Sequence, residues 1–216
     1  NGGNVGGKIT NSWSTGEVVA TATSGGYVGG LIGNSASGTI IDGSYSTTGK
    51  VSASGYYVGG LVGYSNSTVS NSYSSRVVES SSWFTGGLIG QSTGSVTDSY
   101  ALKDVTSNGY YVGGLVGYSN GTISTSYATG AVKNTSNYTG GLVGISYNTI
   151  TSSYATGAVQ NSSNYTGGLV GASNSTITSS YSTGDVTSNG NWNNYVGGLV
   201  GYSYSSVIDS NASSKV

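Results

Sequence analysis

The chain is 216 residues long and only 6% of it is charged, against roughly 25% in an ordinary soluble domain. Its formal net charge of −1 leaves no electrostatic footprint for nucleic acid or an anionic membrane, and no apolar run approaches the ~18 residues of a membrane helix. Histidine and cysteine are both absent, which removes Ser-His and Cys-His nucleophiles, thiolate chemistry and any disulfide scaffold.

The chain opens on Asn1 rather than Met, which reads as a processed chain or a piece of something longer. Residues 1–28 form a partial repeat: Ile9, Trp13 and Val18 carry a spacing that recurs later, without a Gly-Gly-Leu before them. Full units then begin at Gly29, Gly59, Gly86, Gly113, Gly140, Gly167 and Gly197, at intervals of 30, 27, 27, 27, 27 and 30 residues. Two residues into each unit stands Leu31, Leu61, Leu88, Leu115, Leu142, Leu169 or Leu199, followed by Val or Ile. Further on comes an Ile/Val column (Val69, Val96, Ile123, Ile150, Ile177, Val207) and, four residues later, an aromatic column (Tyr45, Tyr73, Tyr100, Tyr127, Tyr154, Tyr181). A Val column follows five residues after that, and a second aromatic column (Tyr27, Tyr57, Phe84, Tyr111, Tyr138, Tyr165, Tyr195) precedes each glycine pair. In the last unit Asn211 takes the Tyr place and Val216 the Val place.

Fixed apolar spacing separates this chain from a disordered Gly/Ser/Asn tract. The units are rich in Val, Ile, Thr and Tyr, are broken by Gly, Asn and Ser, and show no 3.6-residue stripe, so they read as short strands and turns. A unit of 27 residues suits one coil of an all-β, single-stranded parallel β-solenoid, with two or three short strands per coil. About eight coils stacked ~4.8 Å apart give one solenoid domain, 1–216, roughly 35–40 Å long. The Leu column is expected to form the core ladder. The glycine columns mark corners or backbone approaches where a Cβ does not fit. Extra residues around Ser37 and Gly38, and at Asn189–Asn194, are expected to bulge as loops.

The string Gly-Gly-Leu-Val-Gly-Tyr-Ser-Asn-Gly-Thr-Ile-Ser-Thr-Ser-Tyr-Ala-Thr-Gly at 113–130 resembles the GLUG repeat, and seven copies plus a partial one keep that register along nearly the whole chain. The resemblance implies a structural or adhesive protein, extracellular or at a microbial cell surface, whose motif residues are structural. The departure at Asn211 implies a last coil that frays or needs a neighbour.

No catalytic, cofactor-binding or metal-binding residues are expected, and the chain is read as no enzyme. The acids are sparse: Asp98 and Asp209 share a column four coils apart, and Asp42 falls close to it, too scattered for a carboxylate pair or a calcium cage. Strand parity places both aromatic columns inward, beside Ile and Leu; outward, they offer a carbohydrate-binding alternative. Thr and Ser flank the Ile column (Thr68 and Ser70, Thr122 and Ser124, Thr176 and Thr178) and are expected outward, where flat ranks would suit an ice-binding solenoid. Eight sequons are candidate N-glycosylation sites: Asn66, Asn120, Asn134, Asn137, Asn161, Asn164, Asn174 and Asn211. No polar cap is visible at either end, so the expected partners are flanking repeats of a longer chain or further copies stacked end to end, with surface glycans as possible ligands.

Overall fold

A computed structural model of the protein describes residues 6–21, 25–190 and 194–216. All regular structure among them is parallel β-strand, arranged as a β-solenoid. The coil from 111 to 134 shows the plan: Tyr111–Gly113 belongs to sheet I, Val116–Ser119 to sheet II, Ile123–Ser124 to sheet III, Tyr127–Ala128 to sheet IV and Val132–Asn134 to sheet V. Sheets I, II and V hold seven strands each, and sheets III and IV hold eight, so the chain makes seven full turns and part of another. Each coil thus has five strands of two to four residues, not two or three. The chain bends too often for longer ones.

Register follows the repeat. Tyr100, Tyr127 and Tyr154 pair in sequence along sheet IV, and Val105, Val132 and Val159 along sheet V. Backbone bonds between coils continue through the bends: the Leu115 N–H donates to the Leu142 carbonyl at 2.8 Å, and the Leu142 N–H to the Leu169 carbonyl at 2.8 Å. A backbone polar group inside a solenoid has no water to turn to, so the ladder has to be continuous.

The Leu column forms the core ladder. Leu61, Leu88, Leu115, Leu142 and Leu169 are fully buried with the Ile/Val column, while Leu31 and Leu199 are partly covered. A second, smaller core of Val51, Val58, Val78, Val105, Val112 and Val132 lies between sheets I and V. The glycine columns are close backbone approaches. A Cβ on Gly113 would sit 2.1 Å from the Val116 carbonyl oxygen, and one on Gly114 would sit 2.0 Å from that of Gly141.

Between sheets III and IV every coil turns through one residue in the left-handed region: Asn11, Gly43, Asn71, Asp98, Thr125, Ser152, Ser179 and Asp209, with φ between 47° and 58°. Asn, Asp and Gly suit that conformation best. Directly after it comes a buried serine ladder. The N–H of Ser99 donates to Ser126 Oγ, that of Ser126 to Ser153 Oγ and that of Ser153 to Ser180 Oγ, each at 3.2 Å. Each hydroxyl in turn donates to the carbonyl two residues back, as Ser126 does to Ser124 at 2.7 Å. The hydroxyls thus supply what the interrupted strand cannot.

Arg76 is the one fully buried charged side chain among the described residues, standing where later coils carry Gly130, Gly157 and Gly184. Its guanidinium donates to the Gly16 carbonyl and to Ser14 Oγ, two coils away. Burial holds its pKa below the usual arginine value. Along this stretch the inward column is Ser14, Ser46 and Ser74, and it changes to Ala101, Ala128 and Ala155 in the next three coils before returning to Ser182. Ser14 thus stands where the cation passes and accepts from it.

The extra residues around Ser37 and Gly38 form an exposed turn, with the Thr39 N–H bonded to the Ala36 carbonyl at 3.3 Å. The same 30-residue interval gains its third residue at Thr48–Gly49, both at positive φ. Of the loop expected at 189–194, residues 191–193 lie outside the described residues. The last coil stays paired, with Asn211 opposite Tyr181 and the Val186 N–H bonded to the Lys215 carbonyl at 2.8 Å.

Candidate functional site

Both aromatic columns face outward, contrary to the parity expectation. In sheet IV the residue after each Tyr points in: Ala101, Ala128 and Ala155 are at most 1% exposed, and Tyr100, Tyr127 and Tyr154 are half-buried outside them. Four residues separate Ile123 from Tyr127, but Thr125 between them is left-handed (φ 49°), and an alternation count does not survive that bend. In sheet I the inward residue is Val58, Thr85, Val112, Thr139 or Thr166, each fully buried, and the Gly-Gly bend breaks the count to Leu.

The outward rings form two ladders. Trp13, Tyr45, Tyr73, Tyr100, Tyr127, Tyr154 and Tyr181 stack along sheet IV, and from Tyr45 onward their centroids are 4.8–5.0 Å apart with interplanar angles of 1–8°. Tyr27, Tyr57, Phe84, Tyr111, Tyr138, Tyr165 and Tyr195 stack along sheet I at 4.5–5.2 Å. Tyr64, Tyr118 and Tyr202 of sheet II meet the second ladder edge to face. Such pairs contribute about 0.5–1.5 kcal/mol beyond their buried area. Each ring inside a ladder therefore has both faces against its neighbours, and the ladders present edges and hydroxyls to solvent. A sugar needs a free ring face to stack upon, so the interior of these ladders is a poor carbohydrate platform.

Partial burial and neighbouring rings push the Tyr111 phenol up to about 12, and they raise that of Tyr138 as well. A phenol whose pKa is higher folded than unfolded stabilises the fold fully below its unfolded value of about 10, and that contribution is lost as pH climbs through the folded value. The stability of the rod is expected to hold at neutral pH and to fall between about pH 10 and 12, measured by urea unfolding at stepped pH. A flat profile across that window would show that the ladders do not resist ionisation.

The Thr/Ser ranks beside the Ile column face outward as expected, half-exposed or exposed. Ser70, Ser95 and Ser124 interrupt them, so no unbroken threonine plane forms. The acids do not converge. Asp42 pairs with Ser70, and Ser70 with Thr97, in sheet III, whereas Asp98 and Asp209 occupy left-handed corners, where Gly43 is their counterpart in the Asp42 coil. Asp42 accepts hydrogen bonds from Asn71 Nδ2 at 2.8 Å and Ser70 Oγ at 2.7 Å, which hold its carboxyl below the usual range. Among the described residues no group of three or more acidic side chains comes together.

The sequons divide. Asn66, Asn120 and Asn211 are exposed, and Asn137, Asn164 and Asn174 half-buried. Asn134 and Asn161 lie inside the fold, at 4% and 0% exposure. Asn134 Nδ2, the atom a glycan would need, donates to the carbonyls of Gly109, Ser136 and Asn137 and to Thr139 Oγ1 at 2.9 Å. Asn161 repeats this with Ser163, Asn164 and Thr166. The signal lies in the sequence: the coils with Asn in this inward column place Thr139 or Thr166 across from it, where others pair Ala53 with Val58.

These features define a β-solenoid repeat protein whose repeated residues serve the coil itself. The family model of the GLUG motif matches residues 54–78, 108–133, 135–160, 162–187 and 193–216, more than half of the chain, and the chain belongs to that family. The unmatched coil at 79–107 keeps the same strand pairing on both sides. No curated protein and no solved structure matches the chain.

Proposed function

We propose that this chain is a structural and adhesive segment of an extracellular microbial protein, a stiff rod that forms part of a surface stalk or a filament. The observation that carries the reading is the additive build. Each full coil is bonded to the next full coil along five sheets, so length grows by one spacing per repeat with no new design. Low charge, hydroxyl-rich outer ranks and aromatic ladders give a surface suited to contact rather than to chemistry, and the proposal assigns the rod no catalysis, no nucleic acid partner and no membrane insertion. Its partners are flanking repeats or other copies meeting it end to end, through the strand edges of the outermost coils.

Electron microscopy of the purified chain tests the rod, and antibody labelling of intact cells tests the location. Rigid particles roughly 35–40 Å long, or unbranched filaments built from them, are expected. Labelling should occur without permeabilisation. Flexible or globular particles, or labelling only after permeabilisation, would overturn the proposal.

A further inference from the structure

A groove runs along the rod on sheet V. Three adjoining depressions make it up. The first and second share Glu79 and Ser80; the second and third share Thr106, Ser107 and Thr135. One wall is the outward column Ser52, Glu79, Thr106, Lys133 and Gln160, whose members pair coil to coil. The other is Ser54, Ser81, Asn108, Thr135 and Ser162 at the following corner. Alternation of side chains along a strand leaves the backbone of the column between them as the floor. The groove crosses six coils, about 24 Å at ~4.8 Å per coil.

We infer that this groove binds an extended, uncharged linear glycan lying parallel to the rod axis. The inference rests on the surface-adhesive reading above and names its ligand. Three features favour such a chain. The corner wall repeats one hydroxyl or amide per coil (Ser54, Ser81, Asn108, Thr135, Ser162), at a spacing close to the advance of an extended sugar chain per residue, so neighbouring residues meet equivalent partners. The lining is sparsely charged, with one acid, Glu79, and one base, Lys133, and Glu79 is further held by Lys50 at 2.9 Å, the one ion pair among the described residues. The floor strands already bond their backbone to the coils on either side, which leaves no edge for a peptide to extend. Beyond the corner, Tyr56, Trp83 and Tyr110 form a looser aromatic row at 5.8–6.2 Å, with Trp83 56% exposed.

The test is binding of the full chain to cellohexaose, xylohexaose and hexagalacturonate, measured by calorimetry with thermal melts of each variant as the folding check. One or both neutral hexasaccharides should bind, and hexagalacturonate should bind more weakly than either that does. Thr106→Arg and Thr135→Arg, both at exposed wall positions, should weaken the neutral ligand at least tenfold without moving the melt. Tyr127→Ser, on the sheet IV ladder and outside the groove lining, should leave affinity unchanged. No binding of either neutral probe, a preference for hexagalacturonate, groove variants that bind like the parent, or loss confined to Tyr127→Ser would each overturn the groove. Surface labelling with no glycan binding would sink the groove alone, and labelling only after permeabilisation would sink the reading beneath it.

Discussion

Gly114→Val is expected to be the most damaging single substitution in the middle of the rod, costing about 3 kcal/mol or more. A Cβ there would lie 2.0 Å from the Gly141 carbonyl oxygen and 3.0 Å from the Ala128 Cβ. The first contact is backbone, so no side chain can swing away. Relief requires moving the next coil, which would stretch the bond from the Gly114 N–H to the Gly140 carbonyl and the adjoining Leu115–Leu142 bond. In a one-dimensional stack the damage is passed to the neighbours on each side. Gly7→Ala is the control, since nothing lies within 4 Å of its Cβ position and its backbone is not left-handed. Urea unfolding followed by circular dichroism should separate the two. A Gly114 variant as stable as the Gly7 variant would mean that the glycine column is not there to let coils approach.

Leu115→Ala should be nearly as costly, at about 2–5 kcal/mol. Leu115 is fully buried, with Leu88 and Leu142 on the coils either side, so truncation opens a cavity that neither neighbour can fill without breaking its own register. Leu199→Ala removes the same atoms from a partly covered site in the last coil. Its cost should be less than half, because water already reaches part of the side chain and less void is left. Equal losses in the two variants would show that stability tracks residue type and not position in the stack.

Much of the fold can be read from spacing. The repeat of Leu, Ile and Val at fixed intervals calls for a buried ladder, and a unit too short for a propeller blade and lacking a helical stripe calls for a solenoid coil. The Gly pairs before each Leu mark the backbone approaches that Gly113 and Gly114 make. Parity fails at the corners. It places Tyr127 beside Ile123 inside the coil, and the left-handed Thr125 turns it out. The same bends cut each coil into five strands where two or three are expected.

The serine that precedes each tyrosine of sheet IV was visible all along as a column: Ser44, Ser72, Ser99, Ser126, Ser153 and Ser180. Composition hides it, since serine in a serine-rich chain draws no attention. Only the fold shows that these hydroxyls are buried and bonded between coils. The sequons behave likewise. Asn134 and Asn137 both satisfy the motif three residues apart, yet one amide is enclosed by four acceptors and the other is half-buried. The axial groove is still less legible, because its walls come from residues 27 or more apart and its walls and floor are distinguished only by which side of sheet V each column faces.

The sequence by itself determined the period, the all-β solenoid, the core ladders and the family, because stacking identical coils converts a linear repeat directly into columns in space. Only the tertiary structure decided which columns face water. That depends on single corner residues such as Thr125, at φ 49°, because one left-handed residue between two strands resets which side chains of the next strand face inward.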